Sequence, residues 1–386
     1  PLYIDAVKKE VELDAAVMPF TRESVRTLTN NIIWAENDKI FAEIRRNDNT
    51  YYIMLLNTDR KYPVKTAVRL GVSGYIEKWN SRNGERYAAG DISVLEFEPG
   101  EEKLFVITDT DHKLPEQREY KYKKEALLDT IVSYKLSEKN VCVLDTAAGT
   151  IDGEPIDASD VLRIDRRLRE RYNLPYRGGE MLQPWFVAER KLPVLGSLKL
   201  EYSFEVEYIC DMAIVVETEE GMRIKINGHD AGKPNGKWID ICFDVIPVSK
   251  ELLVKGKNTI TLEYDFYESS NVEAIYLLGD FGVSLHKTEK TITRLPDKIG
   301  FGDLSAFGLP FYSGEITYNF QSDIKEGGIV KLDSMYGAAL AKVNDTIVAF
   351  RPFEAYADTL GKVAVTLVLT RQNTFELPCD ENGEYQ

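Results

Sequence analysis

The sequence predicts a mainly β protein: a small antiparallel β domain, a linker carrying one helix, and two β-sandwiches. Three observations carry that prediction. Segments such as Leu200–Phe204 and Ile316–Phe320 alternate apolar and polar residues, which gives a strand one buried face and one wet face. One strand pattern also occurs twice, and each copy passes through an Asn turn (Asn227-Gly228, then Asn344-Asp345) before closing on Gly-Lys and a further strand, Gly256–Leu262 and Gly361–Leu367. Residues that tolerate positive φ stand between the alternating runs, where tight hairpins need them. The repeat is far longer than a solenoid unit of about 20 to 50 residues, so it reads as a whole sandwich duplicated.

Residues 1–32 carry mixed charge with Val7, Val11 and Leu13 at spacings that suit a short helix belonging to something upstream. Residues 33–109 form a small all-β domain, with strands expected at 40–46, 51–57, 66–72, 74–80, 93–98 and 103–108 and turns at Asn47–Asn49, Asn83-Gly84 and Pro99-Gly100. Residues 110–195 form the linker: a charged stretch to Lys124 with Pro115, strands at 131–136 and 141–144, and a helix over 160–172. Ser159 is the expected N-cap, and Val161, Ile164, Leu168 and Tyr172 fall on one face. The other face carries five arginines; Asp165 with Arg169 and Arg166 with Glu170 stand at i, i+4, as in a solvated or domain-bridging face. Residues 196–290 and 291–386 are the two sandwiches. The first has about a dozen extra residues between its turns, read as an enlarged loop carrying Trp238.

At 386 residues and a formal net charge of −15, the chain repels phosphate backbones, anionic membranes and polyuronic acids, so neither nucleic acid nor membrane is an expected partner, while a neutral glycan carries no penalty. Cys142, Cys210, Cys242 and Cys379 form no C-x-x-C pair and read as reduced, mostly buried thiols, which favours a cytoplasmic over a secreted setting. No stretch approaches the ~20 apolar residues of a membrane span. The chain opens at Pro1 without a signal-peptide pattern and is expected to be an excised portion of a longer protein.

No catalytic constellation is legible. His112, His229 and His286 are scattered, with no G-x-S-x-G elbow and no paired-histidine metal motif, and His229 in its hairpin turn is expected to face solvent. Gly300-Phe-Gly302 and Gly327-Gly328 lie in strand and turn contexts without a following helix, so no phosphate loop and no cofactor are expected. A structural calcium held by backbone carbonyls would leave no motif. Sugar recognition needs an exposed aromatic face and fixed polar groups. Trp238, Asp240 and Asp244 are the candidates in the first copy, and Arg351, Phe353, Tyr356 and Asn373 in the second; core edge or interdomain packing is the competing role for each.

Ala274–Gly282, Phe307–Tyr318 and Arg371–Phe375 resemble segments of large multidomain bacterial glycoside hydrolases of the α-L-rhamnosidase-like group. Tails in that group carry jelly-roll domains of galactose-binding type, similar to the sugar-binding domain of the β-galactosidase and β-glucuronidase family. Tyr51–Ala88, Asn140–Asp145 and Gln183–Trp185 resemble the small β domain and connecting region of such enzymes. The resemblance implies that the acid and base belong to an upstream (β/α)₈ barrel, which would be this chain's partner, and that the chain is a non-catalytic C-terminal portion, supporting the barrel and contacting glycan. Two other readings stand beside it: a complete glycosidase with a carboxylate pair between domains, which need lie only about 5 to 10 Å apart, and a structural or adhesion module. The motif after Asn373-Thr374-Phe375 departs from the group's pattern, continuing with Glu376–Cys379.

Overall fold

The computed structural model describes residues 32–81, 84–117, 125–176, 192–349, 351 and 353–375. The expected N-terminal segment, Asn83, Gln183–Trp185 and Cys379 lie outside the described residues. The chain divides into two compact units, one of Pro1–Glu125 with Phe350–Pro352, the other of Ala126–Ala349 with Phe353–Gln386.

The first unit is built from two antiparallel sheets. One holds β1 (Ile33–Ala35), β4 (Val64–Leu70) and β7 (Val94–Phe97). The other runs in the order β2 (Ile40–Asn47), β3 (Thr50–Asn57), β8 (Glu102–Thr108), β5 (Tyr75–Trp79), β6 (Arg86–Ala88). The β2–β3 reversal takes two residues, with Asp48 at φ 51°, as the Asn-Asp-Asn run predicts. Alternation then sends Ile53, Leu55, Phe105 and Ile107 inward against Val68 and Phe97.

The second unit contains two sandwiches. In the first, a sheet ordered β12 (Glu154–Asp160), β11 (Thr146–Ile151), β13 (Gly196–Val206), β19 (Gly256–Phe266), β15 (Arg223–Ile226), β16 (His229–Asp230) is joined by the hairpin β21 (Gly282–His286)–β22 (Glu289–Thr293), through a parallel contact of β22 with β13. Its second sheet runs β10 (Asn140–Leu144), β20 (Ile275–Gly279), β14 (Met212–Glu217), β18 (Asp240–Val248), β17 (Gly236–Trp238). In the second sandwich a five-stranded sheet runs β26 (Thr346–Val348), β25 (Ala338–Val343), β28 (Lys362–Leu369), β23 (Glu315–Gln321), β9 (Ile131–Leu136), and a ribbon pairs β24 (Gly328–Lys331) with β27 (Glu354–Ala357).

The duplication extends to single hydrogen bonds. The order β13-β19-β15-β16 of the first sandwich matches β23-β28-β25-β26 of the second. In the first turn the backbone N–H of Asn227 donates to Thr259 O, and Asn227 Oδ1 accepts from Thr259 N at 3.0 Å. In the second, Asn344 N–H donates to Ala364 O and Asn344 Oδ1 accepts from Ala364 N, also at 3.0 Å. Asn227 and Asn344 lie at φ 49° and 51°, a region open to Asn at low cost.

Strands expected in the 110–195 linker are members of these sheets. β9 is the edge strand beside β23, with Leu136 opposite Ile316, and β10 borders β20; β11 and β12, which were not expected, pair with each other, and β11 borders β13. Periodicity marks a strand but not its partner, and these partners are up to 180 or so residues away in sequence.

The helix spans Val161–Arg171, and Asp160, not Ser159, caps it: Asp160 Oδ1 accepts from Leu162 N at 2.9 Å. Val161, Ile164 and Leu168 are buried as expected, and Tyr172 stacks on Phe266 at 5.9 Å. The polar face departs from expectation. Asp165 and Arg169 are both about 98–99% buried and paired at 2.8 Å, and Arg169 also donates to Ser270 O and Pro175 O. Asp165 Oδ1 accepts from Val272 N, so the pair ties the helix to the loop that leads into β20. Arg166–Glu170, with the same spacing, stays exposed at 3.3 Å.

Candidate functional site

The enlarged loop of the first sandwich folds as the hairpin β17–β18. Its reversal places Ile239 at φ 57°, a left-handed conformation that β-branched residues avoid, and shifts the register so that Trp238 faces Asp240. Trp238 is half-buried. Its ring lies 6.0 Å from Phe243, 5.4 Å from Tyr276 and 6.0 Å from Phe375. Phe243 and Phe375 stack nearly parallel at 5.9 Å, and Tyr276 meets both edge-on at 5.6 Å. Four rings therefore make one cluster in which every pair is in contact. Phe243 comes from β18 and Tyr276 from β20, whereas Phe375 ends the helical turn Gln372–Phe375 that follows the last strand of the second sandwich.

That turn is built to be held. Arg371 pairs with Glu138 through Nη1 and Nη2, the latter at 2.9 Å to Oε2, in the fork geometry that suits a carboxylate. Thr374 is buried, donating to Phe311 O and sharing a hydroxyl contact with Ser313. The neighbouring residues Phe311 and Tyr312 part company: Phe311 is buried in the core of the first sandwich and Tyr312 in that of the second. Asn140 adds Nδ2 bonds to Phe281 O and Gly308 O, and Lys139 pairs with Asp280. Ala274–Gly282, Phe307–Tyr318 and Arg371–Phe375 thus meet at this junction.

Asp240, exposed, accepts from Cys242 N at 2.9 Å, and this bond holds its carboxyl below the usual range. Asp244, half-buried, is paired with Lys237 at 2.8 Å and accepts from Thr218; Lys237 first and Thr218 second keep its carboxyl low. The three first-copy candidates sit on one hairpin, Asp240 engaged within it, Asp244 by Lys237 and Thr218, and the indole by the junction. Of the second set, Phe353 is half-buried, Tyr356 lies half-exposed on β27, and Asn373 is exposed on the terminal turn. Arg351, half-buried, belongs to the first unit by its contacts.

Of the cysteines, Cys142 is buried, which pushes its thiol up to about 12, Cys210 is half-buried, and Cys242, expected inside, is exposed. His229 is exposed. Among the described residues no group of three His, Cys, Asp or Glu side chains is placed to hold a metal ion, and no helix is long and apolar enough to cross a membrane. Sequence reading missed one polar constellation. Glu77, on an otherwise ordinary strand, is buried and receives hydrogen bonds from Trp79, Arg86 and His112. Alternation gave no signal, because it places Glu77 beside Val106, on the face of β5 opposite the one that packs Ile76 with Ile107 in the core.

No protein-family model matches the sequence, and no curated protein matches it. Among solved structures the chain is similar to a β-porphyranase of glycoside hydrolase family 86 from the human gut bacterium Bacteroides plebeius, at 12% identity over 63% of this chain and 36% of that one, with a TM-score of 0.16. It is also similar to BuGH86 in complex with neoagarooctaose, at 15% identity over 63% of this chain and 34% of that one, with a TM-score of 0.18. The chain spans about a third of the length of these chains. Likeness at this level carries no activity over to it.

Proposed function

We propose that this chain is a non-catalytic, all-β portion of a glycoside hydrolase acting on plant or microbial glycans, in which two fused jelly-roll sandwiches of galactose-binding type brace a catalytic domain supplied elsewhere in the parent protein. The observation that carries the reading is the four-ring cluster. The large aromatic face that a sugar would stack on is spent on joining one sandwich to the other, and the acids beside it are paired with Lys237 or bonded to backbone. The rhamnosidase-like motifs support the same reading, because the residues that carry them hold this junction together.

The test is turnover by the purified chain on a panel of aryl glycosides that includes α-L-rhamnosides. The reading expects hydrolysis no faster than buffer. Turnover that disappears when one carboxylate is replaced by its amide would mean the chain is itself the enzyme.

A glycan contact on the second sandwich is a further reading, favoured by the half-exposed ring of Tyr356 on β27. Retention on a neutral-glycan array that is lost in Tyr356→Ala would support it, and an array that stays blank for the wild type would remove it.

A further inference from the structure

In the first unit a buried carboxylate stands behind an imidazole and a guanidinium. The Glu77 side chain is only 4% exposed, against 39% for His112 and 34% for Arg86. Glu77 Oε2 accepts from Trp79 Nε1 at 2.7 Å and from Arg86 Nε at 3.0 Å; Oε1 meets Arg86 Nη2 at 2.8 Å and His112 Nδ1 at 2.5 Å. Burial works against the Glu77 charge, yet the bonds from Trp79, His112 and Arg86 outweigh it and hold the carboxyl below its usual range.

The contact with Glu77 needs a proton between Oε1 and Nδ1. The neutral imidazole is therefore the Nδ1–H tautomer, and Nε2 is left as a lone-pair acceptor. Arg86 Nη2 also lies 2.9 Å from Nδ1, where two donors share one acceptor oxygen. On the guanidinium, Nε and Nη2 are committed to Glu77, while Nη1 makes no hydrogen bond among the described residues. The plane of Arg86 is fixed over the Trp79 indole at 5.1 Å, and Tyr52 meets that indole edge-on at 5.9 Å. One acceptor and one donor uncommitted to Glu77 are thus held by the same buried group.

We infer that His112 and Arg86 form a binding site for a neutral vicinal diol, of the kind a sugar ring presents: one hydroxyl donates to His112 Nε2 and its neighbour accepts from Arg86 Nη1. Charge chooses between ligand classes. Glu77 and Arg86 cancel, and Asp111, Glu85 and Glu116 stand close by in sequence on a chain of net charge −15, so an anion gains little here while a hydroxyl pair meets a donor and an acceptor. A divalent cation would meet a single nitrogen beside a fixed guanidinium. The site uses only residues of the first unit and does not depend on the bracing role proposed for the sandwiches.

The experiment is imidazole NMR on the full chain with ¹⁵N-labelled histidine at pH 8, where three histidines give three resolvable rings. Without ligand, His112 is expected as the Nδ1–H tautomer; an Nε2–H ring would overturn the assignment. Titration with methyl β-galactoside should move the His112 Nε2 resonance saturably and leave His229 and His286 in place. Binding through two hydrogen bonds in water is weak, so an affinity in the millimolar range is expected. Per-O-methylated galactoside, which cannot donate, should weaken the response at least about tenfold, as should Arg86→Lys, which keeps a cation beside Glu77 but loses the fork. A His112 response to the methylated sugar, or in Arg86→Lys, as strong as that of the wild type to methyl β-galactoside, or no saturable response at all, would sink the proposal; a stronger response to galacturonate than to the neutral sugar would mean an anion site instead.

Discussion

The two sandwiches share a sheet and a turn but differ in what lies opposite. Both carry the Asn turn bonded twice to the closing strand, on the same strand order. Across the core the first has a five-stranded sheet that includes the β17–β18 hairpin, whereas the second has the two-stranded β24–β27 ribbon. The shared half is what closes each fold; the elaborated half of the first copy is what receives the second. Trp238, Phe243 and Tyr276 all stand on that elaborated sheet, and Phe375 is delivered to it by the end of the second copy.

The two copies differ most at the helix, which has no counterpart among the described residues of the second copy. Replacing Arg169 by Met leaves Asp165 charged in a dry site, and a loss of about 3–5 kcal/mol is expected. Urea unfolding of the variant should show it; Arg166→Met, at the exposed pair, should cost under about 1 kcal/mol.

The two turn asparagines make the same backbone bonds in different settings. Asn227 Nδ2 also donates to Leu252 O and Asn258 Oδ1, each at 2.9 Å, and Asn344 is exposed. Asn227→Ala is therefore expected to cost about 2–3 kcal/mol and Asn344→Ala about 1–2 kcal/mol, the common part being the Oδ1 bond and the loss of a side chain that tolerates positive φ. Equal costs would mean that the extra bonds of the first copy contribute nothing.

The smallest effect belongs to the hairpin that only the first copy has. The carboxyl of Asp244 is depressed when folded, so its contribution to stability is full above the unfolded value near 3.9 and fades as pH falls through the lower folded value. The advantage of the wild type over Asp244→Asn, under about 1 kcal/mol, should accordingly hold above about pH 5 and shrink below about pH 4 in a pH series of melting curves.

Much of this architecture was legible because local rules agreed with one another. Alternation located six of the eight described strands of the small β unit to within two residues or so and missed the three-residue strands β1 and β6, while Asn227 and Asn344 marked the duplicated turn. The helix was legible on its apolar face and illegible on its polar one. Asp165–Arg169 and Arg166–Glu170 have identical spacing, and only the loop carrying Ser270 and Val272, about a hundred residues on, decides which pair is dry. The same limit applies to β9, whose partner is β23, and to Trp238, whose exposure depends on a ring in the other sandwich. Glu77 read as one acid among many because its partners Arg86 and His112 come from a neighbouring strand and a loop.

The aromatic residues of the first copy serve the junction between the copies. A double-mutant cycle on Phe243→Ala and Phe375→Ala, read by urea unfolding, addresses it directly, since the two rings belong to different sandwiches. A coupling of about 1 kcal/mol between the two substitutions is predicted. Additive losses, with no coupling beyond about 0.3 kcal/mol, would contradict it.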